Sequence, residues 1–209
     1  MNLTKILGTQ LCIPLEYEKE PVDSGSKIGG IAPLNAKPIY DVNEQKYFCT
    51  IVLDELWSVS IFYSFDINGV DEKRDIISYN NQPLYQCNLI HAVVHKNEKS
   101  STGLSIPSDV TCHKIKIGEL QSDLLSGETN MVIPFSKIGG TPYVDNIALV
   151  GRAFEKLYSD GYKQLFQFDT PNPSRQPYID GFPWDPGWLH VFVREDDIEK
   201  YKFAFVVQQ

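Results

Sequence analysis

SKIGG occurs twice in this chain, at residues 26–30 and again at residues 136–140, and a proline follows each copy, Pro33 and Pro142. The paired glycines before a proline predict tight turns with positive φ rather than phosphate cradles. After each copy come two apolar runs rich in β-branched and aromatic residues. These runs are YFCTIVLD (47–54) and WSVSIFYSFD (57–66) in the first copy, and KQLFQFD (163–169) and GWLHVFV (187–193) in the second.

The order of these elements matches in the two copies although their spacing differs, which indicates a divergent internal duplication. The copies start at residues 26 and 136, an offset of 110 residues (136 minus 26). Solenoid repeats are shorter than this offset. We therefore expect one domain over residues 1–209 in which two similar halves, about 1–117 and 118–209, pack together.

Strand-forming residues dominate the remaining secondary-structure signals. Runs of β-branched and aromatic residues predict about eight strands. They lie at residues 48–53, 58–65, 84–95, 111–117, 131–135, 165–168, 188–193 and 202–207.

Helical periodicity is clear in one place, where apolar residues recur at three- and four-residue steps: Ile147, Val150, Phe154 and Leu157. Asp145 is available as the N-cap and Gly161 follows as a stop signal. Shorter helices are predicted at residues 117–126 and near residues 3–11. The expected fold class is therefore α+β and β-dominated, with two pseudo-repeated antiparallel β halves and one or two short helices.

The composition is that of a soluble globular protein. The chain has 209 residues, of which 42% are apolar and 22% charged, which excludes disordered, collagenous and coiled-coil proteins. Lys and Arg number 19 against 27 Asp and Glu, so the net charge is -8. Because nucleic-acid binding draws on basic residues, we expect no nucleic-acid partner, and a basic protein partner is favoured.

The N-terminus and the cysteines point to the cytoplasm. The first residues, MNLTKILGTQLCIPLEYEKE, lack the long apolar core of a secretory signal. No apolar run approaches the roughly 18 residues of a membrane-spanning helix, so no membrane partner is expected. Four widely spaced cysteines, Cys12, Cys49, Cys87 and Cys112, are predicted to be reduced thiols.

Cys87, His91 and His95 form the most suggestive metal-ligand spacing, with Cys112 and His113 further along. On a helix such ligands share a face and could hold zinc. On a strand Cys87 and His95 would lie about 26 Å apart, too far for one ion. Because the segment is rich in β-formers, the sequence favours core thiols and strand histidines. No motif for a nucleophile is present, so no catalytic residue, metal or cofactor is predicted.

Residues 170–187, TPNPSRQPYIDGFPWDPG, form a loop of unusual length with five prolines. Loops this long are often functional, and aromatic and arginine side chains are favoured at interface hot spots. The candidate partner-binding residues are Arg175, Tyr178, Phe182, Trp184 and Asp185. A second interpretation stays open, in which Trp184 and Trp188 plug the end of a β core.

SKIGGTPY, QLFQFD, WDPGWLHVFV and DDIEKYKFAFVVQ, all within residues 136–209, together resemble the YwqG-like family of bacterial proteins. Residues 26–66 resemble the same scheme more loosely. The chain departs from the family pattern at Trp184-Asp185-Pro186-Gly187, where proline follows the aspartate. The resemblance implies a β-rich domain with a pseudo-duplicated core, no established reaction, and a role as an immunity protein beside secreted toxins.

The sequence is therefore compatible with three functions. The first is a non-catalytic protein-binding module, an immunity protein that neutralises a cognate toxin by occlusion. Complementary charge would speed its association with a basic toxin. The second is a small-ligand or peptide-binding protein that uses the cleft between the two halves. The third is a metal-assisted enzyme that uses His91 or His113.

Overall fold

β-branched and aromatic runs build fourteen strands in the part of the chain that the computed structural model describes, residues 3–22, 24–64, 82–97, 103–123, 135–144, 147–195 and 198–208. The strands are β1 Leu11–Glu18, β2 Lys27–Ile28, β3 Ala32–Pro33, β4 Lys46–Val52, β5 Trp57–Tyr63, β6 Leu84–Tyr85, β7 Ile90–Lys96, β8 Gly103–Leu104, β9 His113–Ile117, β10 Gln121–Ser122, β11 Lys137–Gly139, β12 Lys163–Asp169, β13 Trp188–Arg194 and β14 Lys202–Gln208. One α-helix, α1, spans Ile147–Ser159, and short 3-10 helices span Leu3–Lys5 and Ile198–Lys200.

Twelve of these strands form one antiparallel sheet in the order β6-β14-β13-β12-β11-β1-β9-β2-β4-β5-β7, with β10 beside β1. The order is symmetric about its middle. Outward from β1 come β11, β12, β13 and β14, and outward from β9 come β2, β4, β5 and β7. The predicted β-dominated α+β fold is confirmed.

The hydrogen-bond register extends the sequence repeat to the three-dimensional structure. Lys27 pairs with Thr50 in the first half, and Lys137 pairs with Gln167 in the second. Ser26, just before Lys27, accepts the backbone N–H of Val52 at 2.9 Å, and Ser136, just before Lys137, accepts that of Asp169 at 2.9 Å. In both halves the donor lies two residues beyond the residue that pairs with the lysine. A β-bulge then falls between Tyr47 and Cys49 in one half and between Gln164 and Phe166 in the other. In each half the residue before the bulge lies three positions before the residue that pairs with the lysine. The halves therefore share hydrogen-bond register as well as strand order.

The two symmetric sets of strands, β1 with β11–β14 and β9 with β2, β4, β5 and β7, meet where β1 lies antiparallel to β9. Glu16 stands opposite Lys116 at this seam. On one side Leu15 pairs with Ile117, and on the other Tyr17 pairs with Ile115. Exchanging the two strands maps one flanking pair onto the other, so a pseudo-two-fold axis passes between Glu16 and Lys116.

The two halves curve around a shared apolar core. Phe48 of β4 and Phe168 of β12 meet there with ring centroids 5.2 Å apart, and both side chains are fully buried. Such aromatic side chains fill the space between the inner faces, where one prediction places a ligand cleft. The outer faces are covered differently: α1 lies over the second half, and the strand pair β3–β8 with its flanking loops lies over the first.

Helix α1 forms as its apolar spacing predicts. Val150, Phe154 and Leu157 are buried against the outer face of β13 and β14. Gly161 has a φ of 81° just beyond the helix and ends it as predicted. The proposed N-cap, Asp145, lies outside the described residues.

The glycines of the two SKIGG copies adopt the predicted positive φ, 61° at Gly29 and 71° at Gly139. A Cβ at Gly29 would collide with the carbonyl oxygen of Val110, and one at Gly139 with the side chain of Ile6. The repeat therefore keeps glycine for close approach as well as for backbone conformation.

Two predicted helices are wrong. Ile117 ends β9 and residues 121–122 form β10, so residues 117–122 are not helical. Near the N-terminus only Leu3–Lys5 is helical, as one 3-10 turn, and Leu11 already begins β1. The predicted strand at 84–95 is two strands, β6 and β7, which a turn separates. Residues 131–134 of another predicted strand lie outside the described residues.

The four cysteines carry free thiols. Among the described residues, no helix has the length and the apolar composition needed to cross a membrane.

Candidate functional site

The loop at residues 170–187 is fixed at its base and folded onto the sheet. The Thr170 backbone N–H and hydroxyl both donate to the Gly187 carbonyl, at 3.1 and 2.7 Å. The Gly187 N–H donates back to the Thr170 hydroxyl at 3.0 Å. Three hydrogen bonds therefore hold the ends of the loop together, directly after the last residue of β12 and before the first residue of β13.

Two of the five predicted partner-binding residues are buried in the core. Phe182 and Trp184 are each 1% exposed. The Trp184 ring lies 4.5 Å from Phe48 and the Phe182 ring 5.1 Å from the same residue. Burial in the shared core makes these two side chains inaccessible to a partner, so their predicted role is corrected. For Trp184 the structure agrees with the alternative interpretation, a plug in the β core.

The other three predicted residues remain at the surface. Arg175 is exposed, and Tyr178 and Asp185 are half-buried. The Tyr178 hydroxyl donates to the carbonyl of Tyr17 at 2.7 Å, which ties the loop to β1. Of the five predicted partner-binding residues, the ones accessible to a partner are therefore Arg175, Tyr178 and Asp185.

A different surface concentrates apolar side chains. Eight large apolar side chains are exposed among the described residues. Four of them lie within twelve residues on the chain that crosses the outer face of the first half, namely Ile31, Leu34, Ile39 and Val42. We call residues 31–44 the covering segment. Single exposed apolar residues are normal, but such a concentration is typical of an interaction surface.

Small residues anchor the covering segment and leave its large side chains facing outward. Ala32 and Ala36 are fully buried against Tyr47 and Phe62. The Ala36 N–H donates to the Pro33 carbonyl at 3.0 Å and closes a turn. Since the alanines occupy the inner positions, the larger side chains of Ile31 and Leu34 stay 57% and 43% exposed.

His91 holds the far end of the covering segment. Its ring is stacked on Phe62 at 5.3 Å and lies edge-on to Tyr40 at 5.0 Å. Burial lowers the pKa of His91 to about 4, so the ring is neutral at physiological pH and its Nε2 accepts the Ile39 N–H at 3.3 Å. The backbone that presents Ile39 is therefore fixed before any partner arrives.

Exposed acidic side chains lie on the covering segment itself and next to another exposed apolar residue, Leu56. Asp41 and Glu44 are exposed on the covering segment, and Glu55 is exposed beside Leu56, which is itself 65% exposed. Lys37 is the exposed basic residue of the segment. An apolar surface that also carries acidic side chains would complement a partner that presents apolar and basic side chains.

The Cys and His side chains of the predicted metal spacing are dispersed. His91 lies under the covering segment, whereas His95 is 2.8 Å from the Ser60 hydroxyl on the outer face of β5. His113 lies between the carbonyls of Lys19 and Tyr178, at 3.3 and 3.1 Å. Within the described ranges no three His, Cys, Asp or Glu side chains could together hold a metal ion.

A buried ion pair lies beside the second SKIGG copy. Lys137 Nζ is 2.8 Å from Asp123 Oδ1 and donates to the Thr141 carbonyl at 2.6 Å. Burial lowers the pKa of Lys137, although Asp123 opposes that shift. Burial, aided by Asp123, raises the pKa of the neighbouring Cys12 to about 12, so this thiol is not a nucleophile at neutral pH. The arrangement is structural: it fixes the SKIGG turn against β1 and β10.

The sequence pattern could not identify the covering segment as a surface. IAPLNAKPIYDV has no periodicity that separates its inner alanines from its outer isoleucines. The one available signal is the pair of small residues four positions apart, Ala32 and Ala36. Small residues at buried positions indicate close approach of the backbone to another layer.

Comparisons of the chain with protein-family models, with curated proteins and with solved structures gave no match.

Proposed function

We propose that this protein is a non-catalytic binding module of the cytoplasm, and that it acts as an immunity protein that occludes a cognate bacterial toxin. The observation that carries the binding role is the row of exposed apolar side chains on the covering segment. Its backbone is already anchored, so binding loses little conformational entropy. The toxin as partner rests on the resemblance to the YwqG-like family.

The charge of the protein supports a basic partner. A net charge of -8 and the acidic side chains of the covering segment would attract a basic toxin from a distance. Occlusion needs no chemistry from this chain: a rigid apolar surface placed over the active site of the toxin is sufficient. Nucleic acid is not part of the proposal, because the same charge would repel it.

The proposal is tested by co-expression with the reading frame directly upstream. We expect that frame to be toxic alone, growth to be restored by this protein, and the two products to co-elute as one stoichiometric complex. A harmless neighbour that forms no complex would contradict the immunity role.

Matched variants then locate the binding surface. Ile39→Asp places a charge among the exposed apolar side chains and should weaken the complex by about 2 kcal/mol or more, as loss of an interface hot spot does. Leu120→Asp is the control, since Leu120 is 50% exposed and lies outside the covering segment. Binding is measured by calorimetry after circular dichroism has shown that both variants fold. Equal weakening by both variants, or by neither, would remove the covering segment from the interface.

A further inference from the structure

The strand pair β12–β13 carries a carboxylate and an indole side by side on its outer face. Asp169 is the last residue of β12 and stands directly opposite Trp188, the first residue of β13. Their neighbours Phe168 and Leu189 point into the shared core. Because side chains alternate along a strand, Asp169 and Trp188 point outward. Both residues are half-buried, so a partner can reach them at the surface.

A second aromatic ring lies against Trp188. The ring of Tyr143 is 4.9 Å from the Trp188 ring, and the two planes are tilted by 51°. The Tyr143 N–H donates to Gln167 Oε1 at 2.8 Å, and Gln167 is two residues before Asp169 on the same face of β12. Gln167 is itself buried and donates to the Phe135 carbonyl at 2.9 Å. The backbone that carries the Tyr143 ring is therefore fixed beside Trp188 and Asp169.

The fold does not need a carboxylate at the position of Asp169. Val52 holds the same position in the first half, where the same serine hydrogen bond fixes its backbone N–H. Val52 pairs with Ser58, as Asp169 pairs with Trp188. The same strand positions are thus built from an apolar and a small residue in one half, and from a carboxylate and an indole in the other. This difference between duplicated halves indicates a role other than folding.

Asp169 has no counter-charge of its own. Among the described residues, no basic side chain forms an ion pair with its carboxylate. Burial raises the pKa of this carboxyl to about 6, although the Trp188 side chain and the Thr170 backbone oppose the shift. At neutral pH the group is therefore mostly ionised while half-buried, which costs free energy. A cation that binds beside it would offset that cost.

A guanidinium group suits these three side chains better than an ammonium group does. It is planar, it stacks on aromatic rings, and its N–H groups can bind both oxygens of one carboxylate. It is also more weakly hydrated than an ammonium group, so it loses less hydration in a half-buried place. Tryptophan and tyrosine rings attract such a cation in addition.

We propose that Asp169, Trp188 and Tyr143 form a binding site for an arginine side chain of the protein partner. The guanidinium group pairs with the Asp169 carboxylate and lies against the aromatic rings. The source of the arginine rests on the proposed function, because a basic toxin would present such side chains. The site itself lies on the second half, whereas the covering segment lies on the first.

The site is tested with N-acetyl-arginine amide, and with the lysine and citrulline amides as comparison probes. The indole N–H signal of Trp188 is followed in NMR titrations. The arginine probe should bind at least about fivefold more tightly than the lysine probe. The citrulline probe, in which a neutral urea replaces the guanidinium group, should give no saturable shift up to about 50 mM. Equal binding of the arginine probe and either comparison probe would overturn the proposal.

Matched carboxylate variants make the probe test specific. Asp169→Asn keeps the shape and removes the charge, so it should weaken binding of the arginine probe at least about tenfold. It should not lower the melting temperature at pH 7, since the ionised carboxylate does not stabilise the fold. Asp180→Asn is the control, because Asp180 is an exposed carboxylate of the loop at 170–187. Unchanged probe binding by Asp169→Asn would overturn the site. If that variant does not fold, Asp169→Val, which copies the first half, takes its place.

The pH dependence of probe binding gives a second readout. Affinity for the arginine probe should fall about tenfold between pH 7.5 and pH 5, because the Asp169 carboxyl takes up a proton in this range. His190, two residues beyond Trp188, stays neutral there because burial lowers its pKa to about 3. An affinity that does not change with pH would contradict pairing with Asp169.

The source of the arginine is tested in the complex with the product of the upstream reading frame. Asp169→Asn should weaken that complex at least about tenfold, and Asp180→Asn should leave it unchanged. A complex that Asp169→Asn does not weaken would overturn the toxin as the source while the immunity role stands. If no complex forms, the immunity role fails and the toxin as source fails with it, and the probe titrations decide whether the site binds guanidinium.

Discussion

Two lysine–carboxylate pairs of this protein differ mainly in burial. The side chains of Lys137 and Asp123 are 0% and 3% exposed, whereas those of Lys116 and Glu16 are 56% and 63% exposed. Burial of one charge without its partner is costly, so Lys137→Met should lower the free energy of unfolding by about 3–5 kcal/mol. Lys116→Met should leave it nearly unchanged. Urea unfolding of both variants measures the difference, and equal effects would show that Lys137 is not buried as described.

His190 should make the protein sensitive to acid. Its ring lies edge-on to Phe154 at 5.1 Å, and its two nitrogens have no hydrogen-bond partner among the described residues. Burial, with a smaller contribution from Lys137, lowers its pKa from 6.5 to about 3. The unfolded chain therefore binds a proton that the folded chain does not bind. The stabilising contribution is complete above pH 6.5 and is lost as the pH falls toward 3.

His190→Met isolates this contribution from other titrating groups. Asp169 acts in the opposite direction, because burial raises its pKa to about 6 and its contribution is lost as the pH rises through that value. Between pH 7 and pH 5 the wild type should lose about 2 kcal/mol more stability than the variant. Parallel unfolding free energies across that range would contradict a buried neutral imidazole.

The loop at residues 170–187 contributes Phe182 and Trp184 to the apolar core. Trp184→Ala should lower the free energy of unfolding by about 3–5 kcal/mol, because it leaves a cavity beside Phe48 and Phe182. Chemical unfolding measures that loss. Arg175→Ala is the control in the same loop, since its exposed side chain has little to lose. A Trp184→Ala variant that kept full stability but lost partner binding would restore the docking role of this residue.

Sequence patterns locate the six seven-residue strands, β4, β5, β7, β12, β13 and β14, since alternation and β-branching are local signals. The longest strand, β1, has no clear sequence signal because Pro14 and two glutamates interrupt an apolar run, although Leu15 and Tyr17 point to the core and Glu16 to solvent. The prediction of a helix at 117–126 rests on leucine spacing alone, and residues 117–122 are not helical. Leu120 is 50% exposed, so this leucine does not pack against an apolar layer that would favour a helix.

Only part of the candidate surfaces could be predicted, because burial depends on contacts far apart in sequence. Phe182 and Trp184 resemble interface residues in composition, yet Phe48, more than a hundred residues earlier, buries them. Conversely, Ile39 resembles a core residue and is 59% exposed.

Neither half of the chain, 1–117 or 118–209, holds a complete sheet. β1 belongs to residues 1–117 but pairs with β11 of the second half, and β6 pairs with β14. The fragments 1–117 and 118–209 should therefore be unfolded alone and regain structure when they are mixed. Dispersion of amide signals in NMR spectra distinguishes the two states. A folded 118–209 fragment would show that the second half does not need β1.

The charges at the seam between β1 and β9 also indicate that the two copies have diverged. A residue on a two-fold axis of a dimer of identical chains faces its own copy, so two like charges would meet there. Here Glu16 faces Lys116, with Nζ and Oε2 3.0 Å apart. Opposite charges at such a place become possible once the two copies mutate separately. The pair marks the divergence of the two copies, and it disfavours the pairing of β1 with a second β1 or of β9 with a second β9, which would bring like charges together.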